Sequence, residues 1–132
     1  MAFYRTREGA VTAADSFTAL GSLYGQSTTA SVQLPKQASN IVGIIATVAT
    51  DSASNGATTF SCQLTGDGLT DQQTFVIGSQ GVDGPPASNG MTNLPFQLDV
   101  AIPVTGSNQV SIAGAMDTDV GSCSMAVTLV LA

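Results

Sequence analysis

The sequence has no histidine and no tryptophan, only one glutamate, and three basic residues, Arg5, Arg7 and Lys36. Charged residues make up 9% of the 132 residues, compared with about 25% in an average soluble domain. Without histidine, the usual catalytic triads and zinc sites cannot be assembled. A basic nucleic-acid-binding surface is also excluded, because phosphate contacts require clustered lysine and arginine.

The remaining side chains do not form a recognisable catalytic set. A serine nucleophile needs a base, and the one candidate is Lys36, which follows Pro35 in a turn. The segment Gly66-Asp67-Gly68 lacks the later Gly-Lys-Ser/Thr of a phosphate-binding loop. No pair of carboxylates is placed in a cleft, as glycoside hydrolysis requires. The sequence therefore predicts a protein that is not an enzyme and has no cofactor.

Neither a membrane span nor a secretory signal is expected. The most apolar run, residues 41–49, is about half as long as the ~20 residues that a bilayer helix needs. The N-terminus is polar and has no apolar segment of the kind found in signal peptides. We therefore expect the protein to stay in the compartment in which it is made.

The few charges are unevenly distributed. Residues 1–36 hold all three bases with Glu8 and Asp15, which gives +1, whereas residues 37–132 hold seven aspartates and no base, which gives −7. A slightly basic N-terminal arm can offset the repulsion between acidic bodies by lying on a neighbouring copy. The alternative is a frayed terminus that only aids solubility.

The anchors of such an arm would be aromatic and basic side chains. The candidate partner-binding residues are Phe3, Tyr4, Arg5 and Arg7, which combine aromatic area with charge as interface anchors do.

Apolar residues recur at every second position, which is typical of half-buried strands. The clearest examples are residues 92–105, 58–66 and 123–131, separated by clusters of turn-forming residues. The pattern predicts an all-β fold: an antiparallel β-sandwich of seven to eight strands, most readily a jelly roll. We place an N-terminal arm or first-strand region at residues 1–28 and the sandwich domain at residues 29–132.

Cys62 and Cys123 both fall in phase with the apolar face of their strands. They are either two buried thiols that act as small hydrophobes, or a disulfide between the sheets. A bond would close a loop of about 60 residues, which is worth ~4 kcal/mol in the chain-entropy model. Two cysteines without histidine do not supply the usual four zinc ligands.

Asp117 and Asp119 are close enough in sequence to be weak candidates for a calcium site. However, Gly121 stands where a third oxygen ligand belongs in a calcium loop, and Thr128 where the bidentate glutamate belongs. The alternative is that these aspartates form a turn by bonding their own backbone. No other metal site is expected.

Short strands rich in small residues, ending in the apolar segment Met125–Leu131, resemble the small structural proteins of virus and phage particles. These include capsid decoration (cement) proteins and jelly-roll capsid subunits. The resemblance implies location in the virion and many copies on a symmetric lattice, commonly as trimers. Its partners would be capsid proteins or copies of itself, without nucleic acid or membrane.

Two other functions remain open on the sequence alone. One is a carbohydrate-binding or adhesive sandwich, although sugar sites usually use aromatic platforms and the two tyrosines, Tyr4 and Tyr24, are both near the N-terminus. The other is a subunit of a self-assembling filament or surface layer, which differs from a shell protein only in lattice geometry.

Overall fold

The computed structural model describes residues 2–11, 17–23, 26–27, 31–50, 58–80, 92–116 and 123–132. The regular secondary structure in these ranges consists of β-strands alone. The strands are β1 (Phe3–Val11), β2 (Thr18–Ala19), β3 (Ser22–Leu23), β4 (Gln26–Ser27), β5 (Ser31–Gln33), β6 (Asn40–Thr50), β7 (Thr58–Thr65), β8 (Gln73–Gln80), β9 (Thr92–Pro103), β10 (Gln109–Met116) and β11 (Cys123–Leu131). The described ranges thus contain no helix that could cross a membrane.

The long strands from β6 to β11 lie where the sequence predicts strands. In β11, Met125, Val127, Leu129 and Leu131 are buried, whereas the residues between them are half-buried. This is the two-residue period of a strand with one face on the core. The all-β prediction is confirmed.

The strands form two antiparallel sheets. In the first sheet the order is β4-β3-β1-β11-β6-β9, and in the second it is β2-β10-β7-β8, with β5 also pairing with β10. The two sheets pack on each other around one apolar core, so the predicted sandwich is confirmed. The buried residues of this core are Val11, Leu20, Val32, Leu34, Ala38, Ile41, Ile44, Ala46, Val48, Phe60, Cys62, Leu64, Ile77, Ile102, Val110, Ile112, Met116, Met125, Val127, Leu129 and Leu131.

Strand pairs are nested along the chain. The β7–β8 hairpin is innermost, β6 pairs with β9 around it, and β10 and β11 then pair with the free sides of β7 and β6. The N-terminal strand β1 completes the order by pairing with β11. The jelly roll, a double sheet built from two Greek keys, stays a prediction, and this nested order is the observation that supports it.

Residues 3–11 of the N-terminal region lie within the first sheet as β1. The pairing with β11 extends from Phe3 opposite Leu131 to Val11 opposite Cys123. Val11 is fully buried. The region that the sequence separates as an arm or first strand thus supplies a full-length strand of the sandwich.

One end of the sandwich is closed by connections that bond to one another. Gly68 N donates to Gln109 O at 2.9 Å, and Thr105 N donates to Gly68 O at 2.9 Å. Gly66 has a φ of 123°, which glycine adopts without a steric penalty. A Cβ at Gly66 would lie 2.6 Å from Gln109 O. We call this end, formed by residues 34–39, 66–72 and 104–108, the packed end.

Candidate interaction surface

The four predicted partner-binding residues lie on β1, and they alternate between its two faces. Phe3 is half-buried and packs against the core. Tyr4, its neighbour, points the other way and is 61% exposed. The structure therefore separates the two aromatic side chains, because successive residues of a strand point to opposite faces.

Arg5 and Arg7 join the two sheets. Arg5 Nε donates to Gln33 O at 3.2 Å, and Arg7 Nη2 donates to Ser31 O at 3.1 Å. Both acceptors belong to β5, which pairs with the second sheet. Arg5 Nη1 also donates to Tyr4 O at 3.0 Å. These arginines hold β1 against β5, a contribution to the fold that their sequence pattern does not reveal.

The surface on which Tyr4 lies is the solvent-facing side of the first sheet, here called the outer face. It extends over the four long strands β1, β11, β6 and β9. The strand register places Tyr4, Val130, Gly43 and Asp99 side by side across these strands. Apart from Gln97 and two acids, the described side chains of this face are small, hydroxylic or apolar. They are Tyr4, Thr6, Glu8, Ala10, Val42, Ile45, Thr47, Gln97, Asp99, Ala101, Ser124, Ala126, Thr128 and Val130.

Apolar side chains are exposed in the middle of the outer face. Val42 is 39% exposed and Ile45 is 36% exposed, both on β6. Beside them, the Thr6 and Thr128 hydroxyls are hydrogen-bonded at 2.8 Å. Residues 41–50 are apolar on both faces, which is typical of a central strand, and β6 does lie between β11 and β9. The pattern does not indicate that Val42 and Ile45 contribute to an exposed face.

The two lateral sides of the sandwich differ. On the side of β1, that strand contacts β5 and β10 of the second sheet, and Arg5 and Arg7 close the gap. On the opposite side lie the edge strands β8 and β9. Half-buried Phe75, Leu98 and Val100 line this second side. We call these the β1 side and the β9 side.

The two cysteines lie in different sheets. Cys62 on β7 is buried and has a free thiol, and desolvation raises the pKa of this thiol from 9.0 to about 12. Cys123 begins β11 opposite Val11 and Thr50; its side chain is outside the described residues. The Cys62–Cys123 disulfide therefore stays a prediction, as an alternative to the free Cys62 thiol described here.

The calcium candidates Asp117 and Asp119 are outside the described residues, so that site also stays a prediction. Asp67 and Asp71 are both exposed at the packed end, and the Asn108 side-chain amide donates to Asp67 O at 3.2 Å. Within the described ranges, no three potential metal-ligating side chains come together.

Comparison with known proteins gives structural similarity only. No protein-family model and no curated protein sequence matches the chain. A structure of infectious bursal disease virus, Gx strain, has a TM-score of 0.48 and 11% identity, covering 98% of this chain and 32% of that chain. The VP2 subviral particle of the same virus has a TM-score of 0.35 and 15% identity, covering 96% and 33%.

A third similar structure is the CBM22-1 xylan-binding domain of Xyn10C from Paenibacillus barcinonensis. Its TM-score is 0.36 and its identity 9%, with 97% of this chain and 84% of that chain covered. This chain spans about a third of the length of the two virus chains. The structures similar to this chain thus include those of a virus, at TM-scores below 0.5 from which no function follows.

Proposed function

We propose that this chain is a structural protein of a virus particle, either a decoration (cement) protein or a small capsid subunit, whose copies bind a symmetric lattice in the virion. The observation that carries the proposal is the outer face of the first sheet. This face is four long strands wide, and Glu8 and Asp99 are the charged residues among its described side chains.

The chemistry of the outer face suits a surface that becomes covered. Tyr4, Val42 and Ile45 present exposed apolar area, and burying such area in an interface contributes about 25 cal/mol per Å² before the costs of association. The surrounding threonines and alanines lose little side-chain entropy when they are ordered. Depletion of charge is the feature that distinguishes interface cores from the rest of a protein surface.

Electrostatics favour a protein partner over a nucleic acid. Residues 37–132 carry −7 and no base, and two of the three bases, Arg5 and Arg7, are engaged with β5. Phosphate backbones are bound by clusters of lysine and arginine. We therefore assign the outer face to a lattice of capsid proteins or of copies of this chain. A trimer is the oligomer that the resemblance to virion structural proteins implies.

Sedimentation velocity and negative-stain electron microscopy of the purified protein test the proposal. We expect discrete oligomers or shells, and we expect Ile45→Asp to shift the protein toward the monomer by placing a charge in the outer face. The matched control is Thr74→Asp, an exposed strand position on the second sheet. A wild-type chain that stays monomeric at every concentration and binds no capsid lattice would overturn the proposal. Fibres in place of shells would assign the chain to a filament or surface layer.

A second candidate, a carbohydrate-binding sandwich, is favoured by one observation. Tyr4 is 61% exposed on the outer face, where an aromatic ring can stack on a sugar. A glycan array, read with and without calcium, tests it. Specific binding that Tyr4→Ala abolishes, while the unfolding temperature is unchanged, would make this candidate the preferred function.

A further inference from the structure

We propose that two copies of this chain pack face to face through their outer faces, as a symmetric dimer whose two-fold axis runs parallel to the strands, between β11 and β6. The inference rests on the proposed function, since it uses the face that we assign to association, and it names the partner as a second copy of the same chain. The observation that carries it is the placement of Tyr4 and Asp99 at matching positions on the two sides of that face.

Tyr4 and Asp99 both project from the outer face. Tyr4 is 61% exposed, whereas the residue before it, Phe3, packs against the core. Asp99 is exposed, and its two neighbours along β9, Leu98 and Val100, pack against the core. Because successive residues of a strand point to opposite sides of a sheet, the two exposed side chains share the solvent-facing side.

Within one copy these two side chains are too far apart to bond to each other. The strand register aligns in one row the residues Tyr4, Val130, Gly43 and Asp99, with Tyr4 on the β1 side and Asp99 on the β9 side. At the usual spacing of neighbouring strands, β1 and β9 are about 14 Å apart. Each copy therefore offers a partner one O–H donor and one charged acceptor, at equal distances from the middle of the face.

A two-fold axis parallel to the strands exchanges the two sides of the face and keeps each row opposite itself. β1 of one copy then lies over β9 of the other, and β11 lies over β6. Tyr4 meets Asp99 twice, once on each side of the axis, and its O–H can donate to the carboxylate in a hydrogen bond to a charged acceptor. Twisted sheets stack with their strands about 30° apart, an offset that the long side chain of Tyr4 can span.

The strands in the middle of the face also present compatible side chains to each other. Val130 lies over Gly43, which has no side chain, so two bulky groups do not collide there. In the next row the register aligns Thr128 with Ile45, and the axis places Thr128 of one copy over exposed Ile45 of the other. The Thr128 hydroxyl is already hydrogen-bonded to Thr6 at 2.8 Å. Its methyl group can therefore cover Ile45 without the loss of a polar partner.

The two acids of the outer face do not meet in this arrangement. Glu8 of one copy lies over β9 of the other, but four residues along the strand from the row that holds Asp99, which is about 13 Å. The two Asp99 residues lie on opposite sides of the axis. Both separations exceed the Debye length of about 8 Å at physiological salt, so repulsion between acids on this face is largely screened.

The outer face is large enough for a specific dimer. Its four strands are nine to twelve residues long, and at the usual spacing and rise they cover roughly 600 Å² in each copy. A pair would cover roughly 1,200 Å², which reaches the lower end of the area buried in specific interfaces. The depletion of charge on this face is also that of an interface core.

Sedimentation equilibrium of the full chain tests the inference through Tyr4→Phe, Asp99→Ala and the variant that combines them. We expect a dimer for the wild type and a dimer at least about tenfold weaker for each single variant, because each removes the same two hydrogen bonds to a charged group. The combined variant should be no weaker than the weaker of the two single variants, since paired residues are not additive. Asp67→Ala is the matched control: it removes an exposed aspartate of the packed end and should dimerise like the wild type.

Circular dichroism verifies that each variant is folded. Dimerisation that neither single variant weakens, additive effects in the combined variant, or a wild type that forms only trimers would overturn the two-fold contact, because an isologous contact joins copies in pairs. The proposed function would stand in those cases if Ile45→Asp still weakens association. A monomeric wild type that binds a capsid lattice likewise overturns the dimer alone. A wild type that neither associates nor binds a lattice overturns both.

Discussion

The Arg7 guanidinium donates from Nη2 to the Ser31 carbonyl oxygen at 3.1 Å, across the gap between the two sheets. Arg7 Nη1 also donates to Thr6 O at 2.8 Å. A residue that by its charge resembles an anchor for a partner is thus bound within its own chain. The N-terminal strand is held by β11 on one side and by arginine bonds to β5 on the other.

Removal of this bond should destabilise the fold. Hydrogen bonds from a charged donor contribute about 1.5–3 kcal/mol, and Arg7 is half-buried, so we expect Arg7→Ala to lower the free energy of unfolding by about 1–2 kcal/mol. Urea unfolding followed by circular dichroism measures the change. Lys36→Ala is the control, since Lys36 is exposed in a turn and should change stability by no more than about 0.5 kcal/mol. Equal effects of the two variants would contradict the assigned role.

Deletion of residues 2–11 tests whether this segment is a structural strand of the sandwich or a free arm. The deletion removes buried Val11 and leaves the edge of β11 without its partner over nine residue pairs. Since whole domains are stable by only about 5–15 kcal/mol, we expect loss of cooperative thermal unfolding and increased binding of a hydrophobic dye.

The peptide of residues 2–11, added to the truncated protein, should restore cooperative unfolding, whereas a scrambled peptide of the same composition should not. Unfolding of the truncated protein at the same midpoint as the full chain would show that β1 is dispensable.

Gly66 should not tolerate a side chain. Its φ of 123° is unfavourable for other residues, at about 1–3 kcal/mol, and a Cβ would lie 2.6 Å from Gln109 O. We therefore expect Gly66→Ala to lower the free energy of unfolding by about 2 kcal/mol or more. Gly43→Ala is the matched control, because its Cβ would meet Val130 at an ordinary 3.4 Å and the change should be neutral or stabilising. A comparable loss in both variants would be inconsistent with the packed end described here.

The Cys62 thiol should make stability depend on pH in the alkaline range. Its pKa is raised from 9.0 to about 12 in the folded chain by desolvation, so the unfolded state loses its thiol proton first. The contribution of this thiol to the free energy of unfolding is fully present below pH 9 and is lost as the pH rises toward 12. Urea unfolding between pH 8 and 11 should show this loss, and Cys62→Ala should reduce the slope. An unchanged slope in the variant would mean that Cys62 does not ionise on unfolding.

Thiol titration of the same protein distinguishes the two cysteine alternatives. We expect Cys62 to be unreactive toward a thiol reagent in the native protein, since the thiolate is the reactive form. It should react once the chain is unfolded in denaturant without reductant. Failure to react in the unfolded protein, reversed by a reductant, would establish the disulfide with Cys123.

The sequence predicts the fold best where only one face of a strand is apolar. In β11 the apolar residues at every second position predict both the strand and which of its faces is buried. In β1 the inward positions after Phe3 are Arg5 and Arg7, which interrupt the apolar pattern. The described part of β3 pairs with β1 only at Glu8, so the long side chains of Arg5 and Arg7 reach β5 without being fully buried. This arrangement depends on a neighbour that the local sequence does not specify.

Only part of the outer face can be predicted from the sequence, because exposure also depends on distant neighbours. Tyr4 is identified from its residue type, but the exposure of Val42 and Ile45 depends on which layer covers β6. An apolar residue on a central strand is buried if a second layer packs over it and exposed if none does. The periodicity of the sequence indicates that a strand face is apolar, but it does not indicate whether a second sheet or another layer packs on that face.

Because Phe3 lies opposite Leu131, the first and last strands meet at the packed end. A short peptide linker between residues 2 and 132 would therefore bridge neighbouring backbone positions, and the chain could be reopened elsewhere as a circular permutant. Proteins fused to either end of such a sandwich would emerge from the same end of it.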